Sequence, residues 1–415
     1  MDNMKKVLEA EIKKIPRHFT RLALKKKLEE QGVKDRDAIE AFVDHVLSGK
    51  EGAFEWDDAE DTPEKKITIK FTDQDGDEIL EAMNDFLEEG LPKVIKCSIE
   101  DSAKSIVKDL EKRWPEVKLS EKYETRHFSD RIDLRWSKGL DPLRMMLIAS
   151  REIGEVFAKK LAKSKAKRGI QRRETLMILH ARACQTTLEI LTLIENGLTD
   201  GAYARWRTLY EITVVAFFIS RFGDEAARRY IAHDIVSARD FLENEFKFAG
   251  EVYDPSLLEG EAKQIEDEYQ AVVELFGKSF KGPYGWAAYS LDCKAPRFQD
   301  SENAVDWGAL SPEYKWSSFK VHAGSAGALR TLGSVFGEKV IYAGATNAGL
   351  QTPAIHTAWS LLQITSLIFP NPNKIETAVQ LKALLILRNK VCKECQKAAR
   401  KLEKEELEDP NGLGR

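Results

Sequence analysis

The sequence predicts a mainly α protein: a C-terminal antiparallel helical bundle preceded by small helical and α+β N-terminal domains. Three observations predict it. Apolar residues recur at helical spacing over most of the chain, capping residues and prolines punctuate those runs, and a single short segment alternates as a strand would. The 415 residues are 43% hydrophobic and 32% charged, enough apolar surface for a core that needs neither disulfide nor metal.

At the amino terminus, two amphipathic patterns, 4–14 and 20–31, are followed by a third at 37–47 that stops at Ser48-Gly49. They predict a small helical domain over residues 1–60. The acidic string EGAFEWDDAEDTPE, residues 51–64, interrupts any periodicity, and ITIKF at 67–71 then alternates with β-branched residues. Helical patterns at 77–88 and 100–114 follow. Together they predict a small α+β unit over 65–135.

From Pro142 the punctuation sharpens. Asp200 precedes one apolar run, and Asp254-Pro255, Ser311-Pro312 and Thr352-Pro353 each set a capping side chain before a proline already at helical φ. Asn196-Gly197 suits a left-handed helix end, and Pro370-Asn-Pro-Asn ends the run before the last. The expected helices are 142–163, 171–196, 200–222, 224–248, 255–277, 311–333, 352–369 and 373–405, forming one bundle domain over 142–405. A long interruption at 282–310 carries Tyr284, Trp286, Tyr289, Phe298 and Trp307, an aromatic loop expected to pack or to bind.

Charge narrows the function classes. A net charge of −4 gives the whole molecule no cationic field, so any contact with nucleic acid must be local. Five scattered cysteines fit a reducing compartment. The charged N-terminus lacks the apolar centre of an export signal, so a cytoplasmic location is expected. The most apolar stretches, 212–220 and 357–370, fall short of the roughly 20 residues that cross a bilayer and read as core helices, with no membrane partner.

Two helical faces could carry chemistry. Tyr314, Ser318 and His322 fall at i, i+4 and i+8, and Arg207 and Glu211 share a face four residues apart. If the faces meet, Glu211 could orient a catalytic His322 while Arg207 holds an anion. The alternative is an ordinary Arg207–Glu211 salt bridge beside a hydrogen-bonded core histidine. A basic run gathers Lys159, Lys160, Lys163, Lys165, Lys167, Arg168, Arg172 and Arg173 with no acid among them. Lys163, Lys167, Arg168, Arg172 and Arg173 are its candidate phosphate-binding residues, and Trp286 is the candidate aromatic contact. The same cations could instead complement the C-terminal dipole of the preceding helix.

The strings YARWRTLYEI, YGWA and YKWSSFKVH resemble the uncharacterised, mainly bacterial helical family called domain of unknown function 5677, over about residues 170–335. The resemblance rests on Arg207-x-Leu209-x-Glu211 and on Tyr314-x3-Ser318-x3-His322. It implies that these residues matter to the family and supplies no reaction.

A weaker similarity is to HEPN-like helical ribonucleases, which use Arg-x(4–6)-His at a helical dimer interface. Arg173-x6-His180 and Arg228-x4-His233 have that spacing, at a frequency of about one match by chance. Arg388-Asn389 begins the commoner form of the motif, but Lys393 stands where its histidine belongs.

Cys392-x-x-Cys395 has no neighbouring histidines and no second pair, so neither a metal nor a cofactor is expected. No phosphate-cradling glycine loop, His-Glu-x-x-His or Gly-x-Ser-x-Gly occurs. Two readings follow: a binding or regulatory protein that recognises a macromolecule or small ligand, or a metal-independent ribonuclease in phage defence or a toxin system. RNA or a protein partner is the expected partner class, and size and helical content suggest a homodimer.

Overall fold

The computed structural model describes residues 12–49, 54–56, 68–70, 72–165, 167–247, 259–329, 344–369 and 374–408. Among them every regular element is helical and no strand forms. The chain divides into two compact units, residues 1–119 and 120–415, with the division inside one long helix.

The first unit contains α1 (Ile15–Glu30), α2 (Arg36–Leu47) and α3 (Asp73–Asp85), and a π turn, Phe86–Gly90, leads into α4 (Leu91–Ala162). Asp35 starts α2 by accepting hydrogen bonds from the backbone of Asp37 at 2.8 Å and Ala38 at 3.3 Å. Leu24 and Leu28 of α1 bury against Ile39 and Val43 of α2, with Ile69 packed on the cluster. The expected α+β unit is therefore helical. Residues 68–70 form no strand, and 67 and 71 lie outside the described residues. A lone alternating segment has no second strand to take its backbone groups. Ile69 joins the helical core instead, and the Lys27 ammonium donates to the Lys70 carbonyl at 3.0 Å.

Thr72 and Asp75 form a capping box at the start of α3, and Lys27 pairs with Asp75. The Lys27 hydrogen bond, followed by those from Thr72, holds the Asp75 carboxyl down at about 2. A lowered carboxyl pKa stabilises above its unfolded value and loses that contribution as pH falls through the folded one. Asp75→Asn should therefore speed amide exchange in α3 at pH 5 and lose this effect near pH 2. A difference that persists unchanged at pH 2 would count against the linkage.

In the second unit α4 buries Ile132, Trp136, Leu143, Met146 and Phe157, and continues to α5 (Ile170–Glu195), α6 (Thr199–Ala232), α7 (Asp234–Lys247) and α8 (Glu259–Phe276). The expected break between 222 and 224 is a kink inside α6: Gly223 sits at φ 80°, ψ −154°, a region essentially restricted to glycine. The expected Asp254-Pro255 start lies outside the described residues.

The segment 282–310 is not structureless. It carries 3-10 turns at Gly285–Ala287 and Gly308–Leu310 and the short helices α9 (Ala288–Leu291) and α10 (Phe298–Ala304). Then come α11 (Ser311–Ser317), a 3-10 turn Ser318–Lys320, α12 (Ser325–Leu329), α13 (Gln351–Ser366) and α14 (Ile375–Glu408). Residues 330–333 and 370–373 lie outside the described residues.

α6 is the central helix, burying Tyr203, Trp206, Leu209, Tyr210, Val214 and Phe218. It forms a hairpin with α5. α13 packs on both, and α14 covers α13. Small residues allow these approaches: Ala354 and Ala358 on α13 are fully buried, and a Cβ on Gly139 of α4 would lie 2.4 Å from the Cys395 sulfur of α14. No helix among the described residues is long and apolar enough to cross a membrane.

Candidate functional site

The polar stripe of α6 faces the segment 302–320. Arg207 donates from Nε to Glu211 Oε1 at 3.1 Å, from Nη1 to Ser318 Oγ at 2.8 Å and from Nη2 to the Tyr314 hydroxyl at 3.0 Å. The Tyr314 hydroxyl in turn donates to Glu211 Oε1 at 2.7 Å, and the guanidinium carbon sits 4.7 Å from the centre of the Tyr314 ring.

The same stripe continues in both directions. Asp200 pairs with Lys320 at 3.2 Å, Tyr203 lies 2.9 Å from the Glu313 carboxylate, and the Tyr210 hydroxyl donates to Glu302. Ser311 also donates to Glu302, at 3.1 Å.

Electrostatics make this a closed network. Burial opposes the Arg207 charge, but Glu211 and Tyr314 outweigh it and hold the guanidinium above its usual range. Burial first, and Glu211 second, push the Tyr314 phenol well above its ordinary pKa. Tyr203 and Tyr210 move the same way, through burial joined by Glu313 and Glu302 respectively. Each phenol stays a proton donor to a carboxylate, which suits a clasp between two segments rather than proton transfer.

His322 does not join the cluster. The predicted helix over 311–333 stops at Ser317, turns once as a 3-10 helix and folds back, so the third position of the i, i+4, i+8 series leaves the face. Gly327 permits the return, since a Cβ there would lie 2.0 Å from the Phe319 carbonyl oxygen. The His322 side chain is exposed and outside the Arg207 network. Neither the pairing with Glu211 nor the core-histidine alternative describes it.

The other candidate residues are dispersed. Lys163, Lys167 and Arg168 are exposed in the turn before α5, while Arg172 and Arg173 are half-buried. An acid that the local sequence does not show holds this turn: Asp224 accepts from the Gly169 backbone at 2.6 Å and from the Arg172 backbone at 2.9 Å. Trp286, expected in a binding loop, is a core side chain 3% exposed, set edge-on to Phe218 and Tyr230.

The histidines of both ribonuclease-like spacings are buried. His180 lies 3.2 Å from the Thr365 hydroxyl, and burial depresses its pKa to about 4. His233 donates to the Gly282 carbonyl at 2.8 Å, and burial likewise lowers it.

A cleft that the sequence did not advertise lies between α13 and α14. It is an open groove with room for about 730 Å³ between Ile355 and Trp359 on one side and Arg388, Asn389, Lys393 and Lys397 on the other, with Arg400 and Cys392 also lining it. Four of its lining side chains are cationic and none is acidic. The Arg388 guanidinium stacks 3.8 Å from the Trp359 ring centre, and its Nε is buried without a hydrogen-bond partner. Burial pushes the Cys392 thiol above its usual range and Cys395 up to about 12, the environment of inert thiols. Among the described residues no group of three or more metal-ligating side chains converges.

No curated protein and no solved structure matches the chain. Residues 173–339, which hold the whole Arg207 network but not the α13–α14 cleft, match the model described as Family of unknown function (DUF5677).

Proposed function

We propose that the protein is a binding protein whose α13–α14 cleft holds a phosphate-bearing small ligand, and that the Arg207 network is the clasp that keeps the adjoining bundle rigid. The observation that carries this reading is a cleft whose charged lining is entirely cationic and whose Arg388 guanidinium is held in place by stacking on Trp359. The volume lies within the range of small-molecule sites, roughly 300–1,000 Å³. Helical spacing places Asn389, Lys393, Lys397 and Arg400 along one face of α14, where they would supply further donors. Burial of His180 and His233 supports binding over RNA cleavage by those two histidines.

Isothermal titration calorimetry with inorganic pyrophosphate, ADP and adenosine tests the reading. Pyrophosphate and ADP should bind and adenosine should not. Arg388→Gln should weaken pyrophosphate binding at least about tenfold, since a charge-assisted hydrogen bond contributes about 1.5–3 kcal/mol. Absence of pyrophosphate and ADP binding, or equal affinity in Arg388→Gln, would remove the proposal. RNA hydrolysis lost in His322→Ala would put the ribonuclease reading in its place.

A further inference from the structure

Within the first unit, α4 presents an apolar stripe to solvent. Ile95, Ile99, Ile106, Leu110, Trp114 and Val117 are between 36% and 62% exposed. Ile95, Ile106 and Val117 recur at eleven-residue intervals, as do Ile99 and Leu110, and as do Ala103 and Trp114. An eleven-residue repeat corresponds to about 3.67 residues per turn, close enough to the helix's own 3.6 that the stripe stays on one face of the helix. It runs for about 33 Å.

Two physical costs attach to leaving it bare. The stripe exposes on the order of 600 Å² of contiguous apolar surface, the upper end of what a monomer shows. A helix that contains Pro115 and lacks tertiary packing along its length is also marginal in water.

We propose that a second copy of this chain covers the stripe, pairing residues 99–117 antiparallel about a twofold axis near Lys108. Size, shape and charge each point to a second copy. Two stripes bury roughly 1,200 Å² before flanking side chains are counted, the lower bound of a stable specific interface. The antiparallel register sets Ile99 opposite the second copy's Val117 and Ile106 opposite its Leu110. It also sets the small Ala103 beside the bulky Trp114, whereas a parallel pair would crowd Trp114 on Trp114 and face Ala103 with Ala103. On one flank, Glu100 meets the second copy's Lys118 and Lys104 meets its Glu111. Twofold symmetry repeats each opposite-charge pair.

Sedimentation equilibrium on the full chain tests this. The wild-type protein should sediment at twice its 47.1 kDa. Ile106→Asp combined with Leu110→Asp should weaken the dimer by at least about 100-fold, since each apolar side chain returned to water in both copies is worth more than a factor of ten. Glu100→Lys should also weaken it, and Glu100→Lys with Lys118→Glu should restore it. All these positions are exposed, so the thermal transition of residues 120–415 should survive and separate lost pairing from lost folding. Monomeric wild-type protein at tens of micromolar (about the range such a dimer should occupy), or a dimer indifferent to the double aspartate variant, overturns the proposal. Failure of the reversed charge pair to restore association overturns the antiparallel register.

Discussion

Replacing Trp206 with alanine is expected to cost about 4 kcal/mol and to lower the bundle's melting temperature by roughly 10 °C. The indole is fully buried at the centre of α6. It stacks on Tyr203 at 5.4 Å and 8°, lies 4.8 Å from the His356 ring, and donates from Nε1 to the buried Ser360 hydroxyl at 3.2 Å. Alanine leaves a cavity that α5 and α13 cannot close without displacing other buried side chains, and it leaves Ser360 without its donor. Trp206→Phe separates the two effects: it refills most of the volume and should cost only about 1–2 kcal/mol, mainly through the lost hydrogen bond. Chemical denaturation followed by helix content measures both. A cost under about 1 kcal/mol for the alanine variant would show that the core is not organised around this ring.

Acidification between pH 6.5 and about 4 is expected to destabilise the bundle by up to about 3 kcal/mol through His180 alone. Burial holds this imidazole neutral down to about 4, whereas the unfolded chain protonates it at its ordinary value. The unfolded state therefore binds more protons throughout the window. The contribution is complete above pH 6.5 and is lost as pH falls through the folded pKa. Burial lowers His233 and His356 as well, so the three act in the same direction. His180→Gln keeps a polar group near Thr365 but cannot titrate, so its stability should fall less steeply between pH 6.5 and 4.5, above most carboxylate titrations. An identical slope in both proteins would mean that His180 is hydrated in the folded state.

Local signals were legible in this sequence and distant ones were not. The spacing of Arg207 with Glu211 and of Tyr314 with Ser318 could be read because both pairs are set by one turn of helix. The same arithmetic failed at His322 because the helix gives way to a 3-10 turn at Ser318 and Gly327 lets the chain fold back against Phe319. Trp286 sits among glycines and resembles a binding aromatic, yet its surroundings come from Phe218 and Tyr230, more than fifty residues earlier. Arg388-Asn389 was visible as an incomplete motif. Its stacking on Trp359 depends on how α13 meets α14, which spacing within either helix does not encode. The strand at 67–71 was misread because alternation describes one segment, while a sheet requires two.

The kink at Gly223 has a consequence for how the domain can change over generations. The clasp residues lie on the stretch of α6 before it, and Asp224, which anchors the start of α5, lies just after it. Inserting one residue into an uninterrupted helix turns everything beyond it by about 100°. A non-helical glycine at that junction breaks the rotational phase, so an insertion beside it can be absorbed without turning one set of contacts against the other.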